Sequence, residues 1–407
     1  MADGHTRIAI ITDDPGWHGR QLVTALQDRH CRVDYLRLQD CAINLDHASG
    51  LSLGQFGASL PDGVFDALQA TLLRVLLPVG LALVAGGLIL LVLGKDPLGY
   101  YGFVLERSLL RWGGAQETLT RMAPLLLIAA GLIVAFRAGI WNLGGDGQFL
   151  LAAVASAALA PVLVRVMPHA LMLLTCLLVG SLTGAIWSLL PAVLKSRYGV
   201  NEIITTLMMS FLGTSLANVL IKLVLRDPDT TVPQTRSLAV EDRLPRLFDT
   251  TVHSGLLLAV AAVIGVHFLM TRTAFGLRLQ VLGANRAAAV HAGFRVGRLT
   301  IAAFALSSAL IGLGGSVEVL GVWGTVRADW NPALGLLVVP LVFLARFNGY
   351  AVIGFTLFFS ALMVGGESAA RRVGVPQHYV LVLVALLLLF LGIVEYLDQS
   401  RRKSGVT

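Results

Sequence analysis

The chain has 407 residues, 56% of them hydrophobic and only 14% charged, with a mean hydropathy of +0.77. Soluble domains carry about 25% charged residues, so a water-soluble enzyme is excluded for most of the sequence and an all-α polytopic membrane protein is indicated. The net charge of +7 sits on basic residues scattered singly between apolar segments rather than on a stripe with aromatics, which argues for topology charge and against nucleic acid.

The front of the chain, residues 1–66, obeys a different pattern. "RIAIITDDPGWHGRQLVTALQDRHCRVDYLRL" reads as strand, turn, amphipathic helix and strand, with Arg7 to Thr12 as a continuous apolar run of the buried parallel type. The run is too short, and too soon followed by Asp13 and Asp14, for a secretory signal. This short α/β extension, on to "GASLPDGVF", resembles the opening of ATP-grasp amino-acid ligases. The nucleotide-binding domains of that family do not follow, so the expectation is a non-functional fragment without ligase activity, with a cytosolic regulatory appendage as the alternative.

From residue 67 to 398 the sequence is a series of apolar windows. A spanning helix needs about 20 apolar residues because lipid cannot satisfy unpaired backbone groups. About ten transmembrane helices are expected: Leu72 to Gly94, Leu119 to Ile140, Gly147 to Met167, Ala170 to Leu194, Ile203 to Leu225, Gly255 to Met270, Leu299 to Leu320, Ala333 to Phe347, Ala351 to Ala369 and Tyr379 to Leu397. A basic tail, 399–407, follows. The larger share of Lys and Arg then falls on the side of the N-terminus, which predicts both termini in the cytoplasm. The cysteines Cys31, Cys41 and Cys176 have neither disulfide nor metal-ligand spacing, and no metal or cofactor is expected.

Polar residues inside this series carry the chemistry. In "FRAGIWNLGGDGQ", glycines permit a sharp break and Asn142, Asp146 and Gln148 can cap the freed helix ends around Gly144 and Gly145. Such a knot is either a capped turn at the cytoplasmic surface or a sheltered break lining a translocation route. Asn201 and Glu202 follow a basic turn and predict a cytoplasmic cap for the fifth span. Gly180 and Gly184 form a GxxxG pair, and Gly312 and Ser316 repeat the small-residue spacing that lets helices approach in lipid. Glu318, Glu367 and Glu395 lie near predicted helix ends, where interfacial solvation is the default reading. The longest basic stretch, "TRTAFGLRLQVLGANRAAAVHAGFRVGR", is the best candidate for partner binding. Alanines make its short helix slim, and Gly293 can end it with a left-handed cap.

Five pieces in order, "MAPLLLIAAGLIVAFRAGIWNLGGDGQ", "RYGVNEIITTLMMSFL", "RDPDTTVPQT", "FGLRLQVLGANRAAAVHAGF" and "LSSALIGLGGSVEVLG", resemble the permease subunits of bacterial ABC importers of the nucleoside and simple-sugar branch, within the branched-chain amino acid and ribose type. The resemblance implies an ATPase-coupling loop formed by Gly283, Asn285, Arg286, Ala287, Ala288, Ala289 and Gly293, where the Glu of the usual motif is replaced by Ala287. It also implies Glu as the usual residue at Asp146. The implied partners are an ABC ATPase subunit, a second permease completing a heterodimeric pore, a substrate-binding lipoprotein and membrane lipid, all at the bacterial inner membrane. No Walker-type glycine loop is present, so ATP hydrolysis belongs to a partner and the chain is not itself an enzyme. Nucleoside is expected over sugar as the substrate. An ion-coupled secondary transporter is the alternative, disfavoured because span centres hold few ionisable residues, and a membrane scaffold or sensor would need an intact front domain.

Overall fold

The computed structural model describes residues 7–11, 32–36, 41–42, 52–53, 63–376 and 379–404. The chain divides into two compact units, Met1–Leu72 and Leu73–Thr407. In the first, β1 (Arg7–Ile11) pairs in parallel with β2 (Arg32–Leu36), Arg7 opposite Arg32 and Ile11 opposite Leu36. Isoleucine, valine and tyrosine in these strands suit a pleated surface. Two-residue strands β3 (Cys41–Ala42) and β4 (Ser52–Leu53) pair antiparallel. The helix expected between β1 and β2 lies outside the described residues.

Helix α1 (Gly63–Val92) leads into the second unit, followed by α2 (Pro97–Leu105), α3 (Trp112–Arg137) and α4 (Gly145–Leu163). Next come α5 (His169–Trp187), α6 (Leu189–Tyr198), α7 (Glu202–Leu223), α8 (Gly255–Arg272), α9 (Ala274–Ala284), α10 (Arg286–His291) and α11 (Val296–Glu318). The series closes with α12 (Leu334–Leu344), α13 (Gly349–Val373) and α14 (Tyr379–Ser404).

Seven helical stretches, not ten, are long and apolar enough to cross a membrane among the described residues: α3, α4, α5 with α6, α7, α8, α11 with its following turn, and α13. The apolar parts of α1 and α14, Leu76–Val92 and Tyr379–Val394, are shorter. The expected span at Ala333 to Phe347 is corrected outright. Its helix has 11 residues, which at 1.5 Å each covers about half of a bilayer core. Left-handed backbone at Ala333 (φ 51°), Arg346 (φ 50°) and Phe347 (φ 58°) stops it at both ends, so hydropathy without a break signal overestimated its length.

Helix α3 is the central pillar. Met122 through Ala135 are all buried, the pattern of a helix that is apolar all round because it has neighbours all round. It packs on α8, α11 and α13, while α11 also meets α4 and α5. Outward-facing Leu174, Leu178 and Leu182 of α5 and Phe211 and Leu212 of α7 are exposed, as suits lipid contact.

The two small-residue pairs read from the sequence lie against each other. A Cβ at Gly184 would collide with the Ser308 carbonyl and sit 3.1 Å from the Gly312 Cα, and one at Gly312 would meet the Gly180 carbonyl. Ser316 Oγ occupies the space beside Gly180 and accepts a hydrogen bond from Ser156 Oγ at 2.8 Å, joining α11 to α4 and α5. Apolar burial gives no net drive between helices in lipid, so this close van der Waals approach is the stabilising contact. At the start of α7, Asn201 Oδ1 accepts from the Ile203 amide at 2.9 Å, and Glu202, nearly buried, pairs with Lys195 at 2.6 Å.

Candidate functional site

The polar groups of the knot after α3 are buried against the middle of α11. Gly139 (φ 69°) reverses the chain, which runs extended to Gly144 before α4 begins. Asn142 Nδ2 donates to Ser307 Oγ (3.1 Å) and Ser308 Oγ (3.2 Å), halfway along the 23-residue α11. Asn142 and Gln148, each 1% exposed, exchange amide hydrogen bonds: Gln148 Nε2 donates to Asn142 Oδ1 at 3.0 Å and Asn142 Nδ2 to Gln148 Oε1 at 3.3 Å. The orphan amides of the break find hydroxyls on α7, Leu143 N–H on Thr206 Oγ1 (3.2 Å) and Gly147 N–H on Ser210 Oγ (3.1 Å). The segment is thus a helix break packed inside the protein, its polar groups satisfied by α7 and α11. Backbone outside a helix is tolerated here because its amides find protein partners.

Asp146 does not cap its own helix. Its Oδ1 accepts from the Gly335 amide at 2.6 Å, so the carboxyl sits on the N-terminus of the half-length helix α12. Negative charge at a helix N-terminus is stabilised by the unpaired N–H groups and the aligned peptide dipoles. The approach needs glycine on both sides, since a Cβ on Gly145 would lie 3.0 Å from the Gly335 Cα and one on Gly335 2.6 Å from the Asp146 nitrogen. The N-termini of α4 and α12 thus meet around one buried acid, a contact between residues 189 positions apart.

The basic stretch folds as α9, α10 and the start of α11. Thr273 Oγ1 accepts from Gly276 N–H (3.1 Å) to cap α9, and Asn285 Oδ1 accepts from Ala288 N–H (3.0 Å) to cap α10. Gly293 (φ 75°) ends α10 in the left-handed region, with Gly293 N–H on the Val290 carbonyl and Phe294 N–H on the Ala289 carbonyl, both 3.0 Å. Ala289 is buried, while Arg286, Ala287, Ala288, Val290 and His291 are exposed. The helix therefore stands out from the fold on one anchoring alanine. Gly283, in the last turn of α9, lies on the Arg137 to Gly139 turn, where a Cβ would be 2.7 Å from the Gly139 nitrogen. The projecting helix and the buried break are thus joined through one glycine contact. A cleft of about 510 Å³ beside it is lined by Phe275, Arg278, Phe294, Arg295 and Arg298 among others.

Sequence reasoning missed three groups. Glu318 is buried rather than solvated at a helix end. Its Oε1 accepts from Trp323 Nε1 at 2.9 Å, and Oε2 has no hydrogen-bond partner among the described residues. Arg121, within α3, binds Glu367 at 3.0 Å and Glu117 at 3.4 Å. His253, just ahead of α8, is 1% exposed with neither ring nitrogen hydrogen-bonded among the described residues, and burial lowers its pKa from 6.5 to about 4. Only an alignment of apolar neighbours in space could have marked it. Because the folded state binds this proton more weakly than the unfolded one, the stability it permits is present above pH 6.5 and lost as pH falls toward 4. The expected loss over that window is on the order of 3 kcal/mol. Thermal midpoints in detergent between pH 8 and 4 should fall in this range, and His253→Gln should flatten the fall.

Residues 114–392 match the family described as branched-chain amino acid transport system / permease component, and the chain belongs to that family of membrane permeases. Among its relatives is the glucose ABC transporter permease protein TsgB13 of Haloferax volcanii, 33% identical over 79% of this chain and 87% of that protein. The guanosine ABC transporter permease protein NupP of Bacillus subtilis is 27% identical over 79% of this chain and 93% of its own. NupQ, also a guanosine ABC transporter permease protein of Bacillus subtilis, is 24% identical over 65% and 86%. No solved structure matches the chain.

Proposed function

We propose that the chain is one of two non-identical permease subunits of an ABC importer that carries nucleosides or simple sugars across the bacterial inner membrane, with both termini in the cytoplasm. What carries the reading is the match over 79% of the chain to permeases named for glucose and for guanosine. That NupP and NupQ of one organism both resemble it supports a heterodimeric pore. ATP hydrolysis falls to a separate ATPase subunit, and a substrate-binding lipoprotein delivers the ligand from outside. The family match leaves no support for the ion-coupled alternative.

In this reading α10 is the element that the ATPase grips. Five of its side-chain positions are free for a groove, and Gly283 passes its displacement to the Gly139 turn and so to the break at Asn142, Gly144, Gly145, Asp146 and Gln148, which borders the translocation route. A small push at one end of a packed, bistable contact is the ordinary way such motion is transmitted. Helices α1 and α14 extend the bundle beyond its seven long spans, and nucleoside is favoured over sugar.

The test is affinity capture of the tagged chain from detergent, followed by ATP hydrolysis with a panel of nucleosides and sugars and the binding protein. A co-purifying ATPase stimulated by one ligand class is expected. Ala288→Glu combined with Gly293→Glu should leave the chain in the membrane but reduce uptake at least about tenfold, a loss of roughly 1.4 kcal/mol of coupling. Normal uptake by that double variant would sink the assignment of α10.

A further inference from the structure

The end of α11 holds a carboxylate that the fold leaves half-satisfied. Glu318 is the last residue of α11 and is 9% exposed. A wide helical turn, Val319–Trp323, follows and swings the Trp323 indole back so that its N–H holds Glu318 Oε1 at 2.9 Å. Oε2, fully buried, has no hydrogen-bond partner among the described residues. Leaving a buried polar oxygen unpaired is costly, and folds keep such groups where something else satisfies them. Turns of this wide type inside helices are found often at functional sites.

A row of aromatic rings begins at the acid. Trp323, half exposed, stands edge-on to Trp330 at 5.9 Å between ring centroids, and Trp330 lies 6.3 Å from Phe149. Phe149 belongs to the first turns of α4, directly above the Asp146 contact, and Trp330 belongs to the segment that leads into α12. The rings thus link the acid to the first turns of α4 and to the segment ahead of α12.

The turn is held in place from outside the bundle. Leu244 N–H donates to the Leu320 carbonyl and Leu238 N–H to the Gly324 carbonyl, both at 2.8 Å, while Arg243 Nη1 donates to the Val322 carbonyl at 2.6 Å. Two bonds to the five-residue turn and a third to Gly324 just beyond it, all from one loop, fix the indole and thereby the carboxylate.

A fixed acceptor beside an indole face has a specific complement. Sugar rings present hydroxyl donors at their edges and apolar C–H groups on their faces, and the ribose of a nucleoside does the same. We infer that Glu318 Oε2 and the Trp323 face form a contact point for a sugar-ring hydroxyl of the transported solute. The inference rests on the importer reading above and adds to it a named acceptor and the chemical group it takes.

The experiment uses the complete transporter, this chain with its ATPase, second permease and binding protein, in proteoliposomes. Uptake is measured for the preferred nucleoside or sugar and for analogues lacking one ring hydroxyl at a time, and the readout is the ratio between parent and analogue. The ratio is independent of how much variant protein folds. In the unaltered transporter one deoxy analogue is expected to be carried about tenfold less well, the effect of one hydrogen bond to a charged acceptor. Glu318→Leu should bring that one ratio close to unity, Glu318→Gln, which keeps an oxygen acceptor without the charge, should lower it less, and both should leave the other ratios as they were. Trp323→Leu should lower uptake of parent and analogues alike. Equal ratios in the unaltered protein and both Glu318 variants would overturn the contact while the importer reading stands. An unaltered transporter that carries no sugar-ring solute at all would overturn both.

Discussion

Gly184→Ala should destabilise the protein by about 1–3 kcal/mol, although alanine is the better helix former. The added Cβ points at the Ser308 carbonyl and the Gly312 Cα of α11, which are backbone atoms with no rotamer to retreat into. Helices α5 and α11 must part, and the Ser156 to Ser316 hydrogen bond that ties α4 to the same place is stretched with them. Gly184→Leu should leave little folded protein. Gly265 provides the control, because a Cβ there meets nothing within 4 Å. Gly265→Ala should therefore stabilise by roughly 0.5–1 kcal/mol through the backbone entropy removed from the unfolded state. The check is the thermal midpoint of purified protein in one detergent. If both alanines moved it in the same direction, close α5–α11 packing would not be what holds this part of the bundle.

Asp146→Ala should cost transport at least tenfold with the assembled complex still recoverable. The substitution removes the acceptor for the Gly335 amide and strips the α12 N-terminus of its counter-charge. A hydrogen bond to a charged group is worth about 1.5–3 kcal/mol, which is enough to release a helix of only 11 residues from its seat. Asp146→Asn keeps an oxygen in the same place without the charge and should lose less. Gly335→Val attacks the contact from the other side, since its Cβ would fall 2.6 Å from the Asp146 nitrogen, and it should match or exceed the loss in Asp146→Ala. Uptake normalised to the amount of assembled transporter decides the matter. Full uptake by Asp146→Ala would show that the meeting of α4 and α12 plays no part in transport.

Periodicity and composition went far where a local property governs the outcome. The α10 helix is such a case: Asn285 caps it and Gly293 ends it at positive φ, and both follow from what those residue types do to the backbone within a few positions. The break at Gly144 was legible for the same reason. Its burial was not, because Asn142 also bonds Ser307 and Ser308, more than 160 residues away in sequence. Glu318 was misread on the same account. A glutamate at a helix end is solvated by default, and here the turn that follows folds an indole over it.

The sequence by itself determined that the chain lives in a membrane, which stretches are helical, where small residues permit close packing and where the backbone must break, since hydropathy, capping and the freedom of glycine act over short distances. Only the tertiary structure decided which small residues meet, that the expected eighth span is a half-length helix, and that Asp146 seals its N-terminus. Those outcomes depend on pairing distant segments in space. In lipid the pairing is set by shape and by the need to satisfy every buried polar group, neither of which one strand of sequence can display.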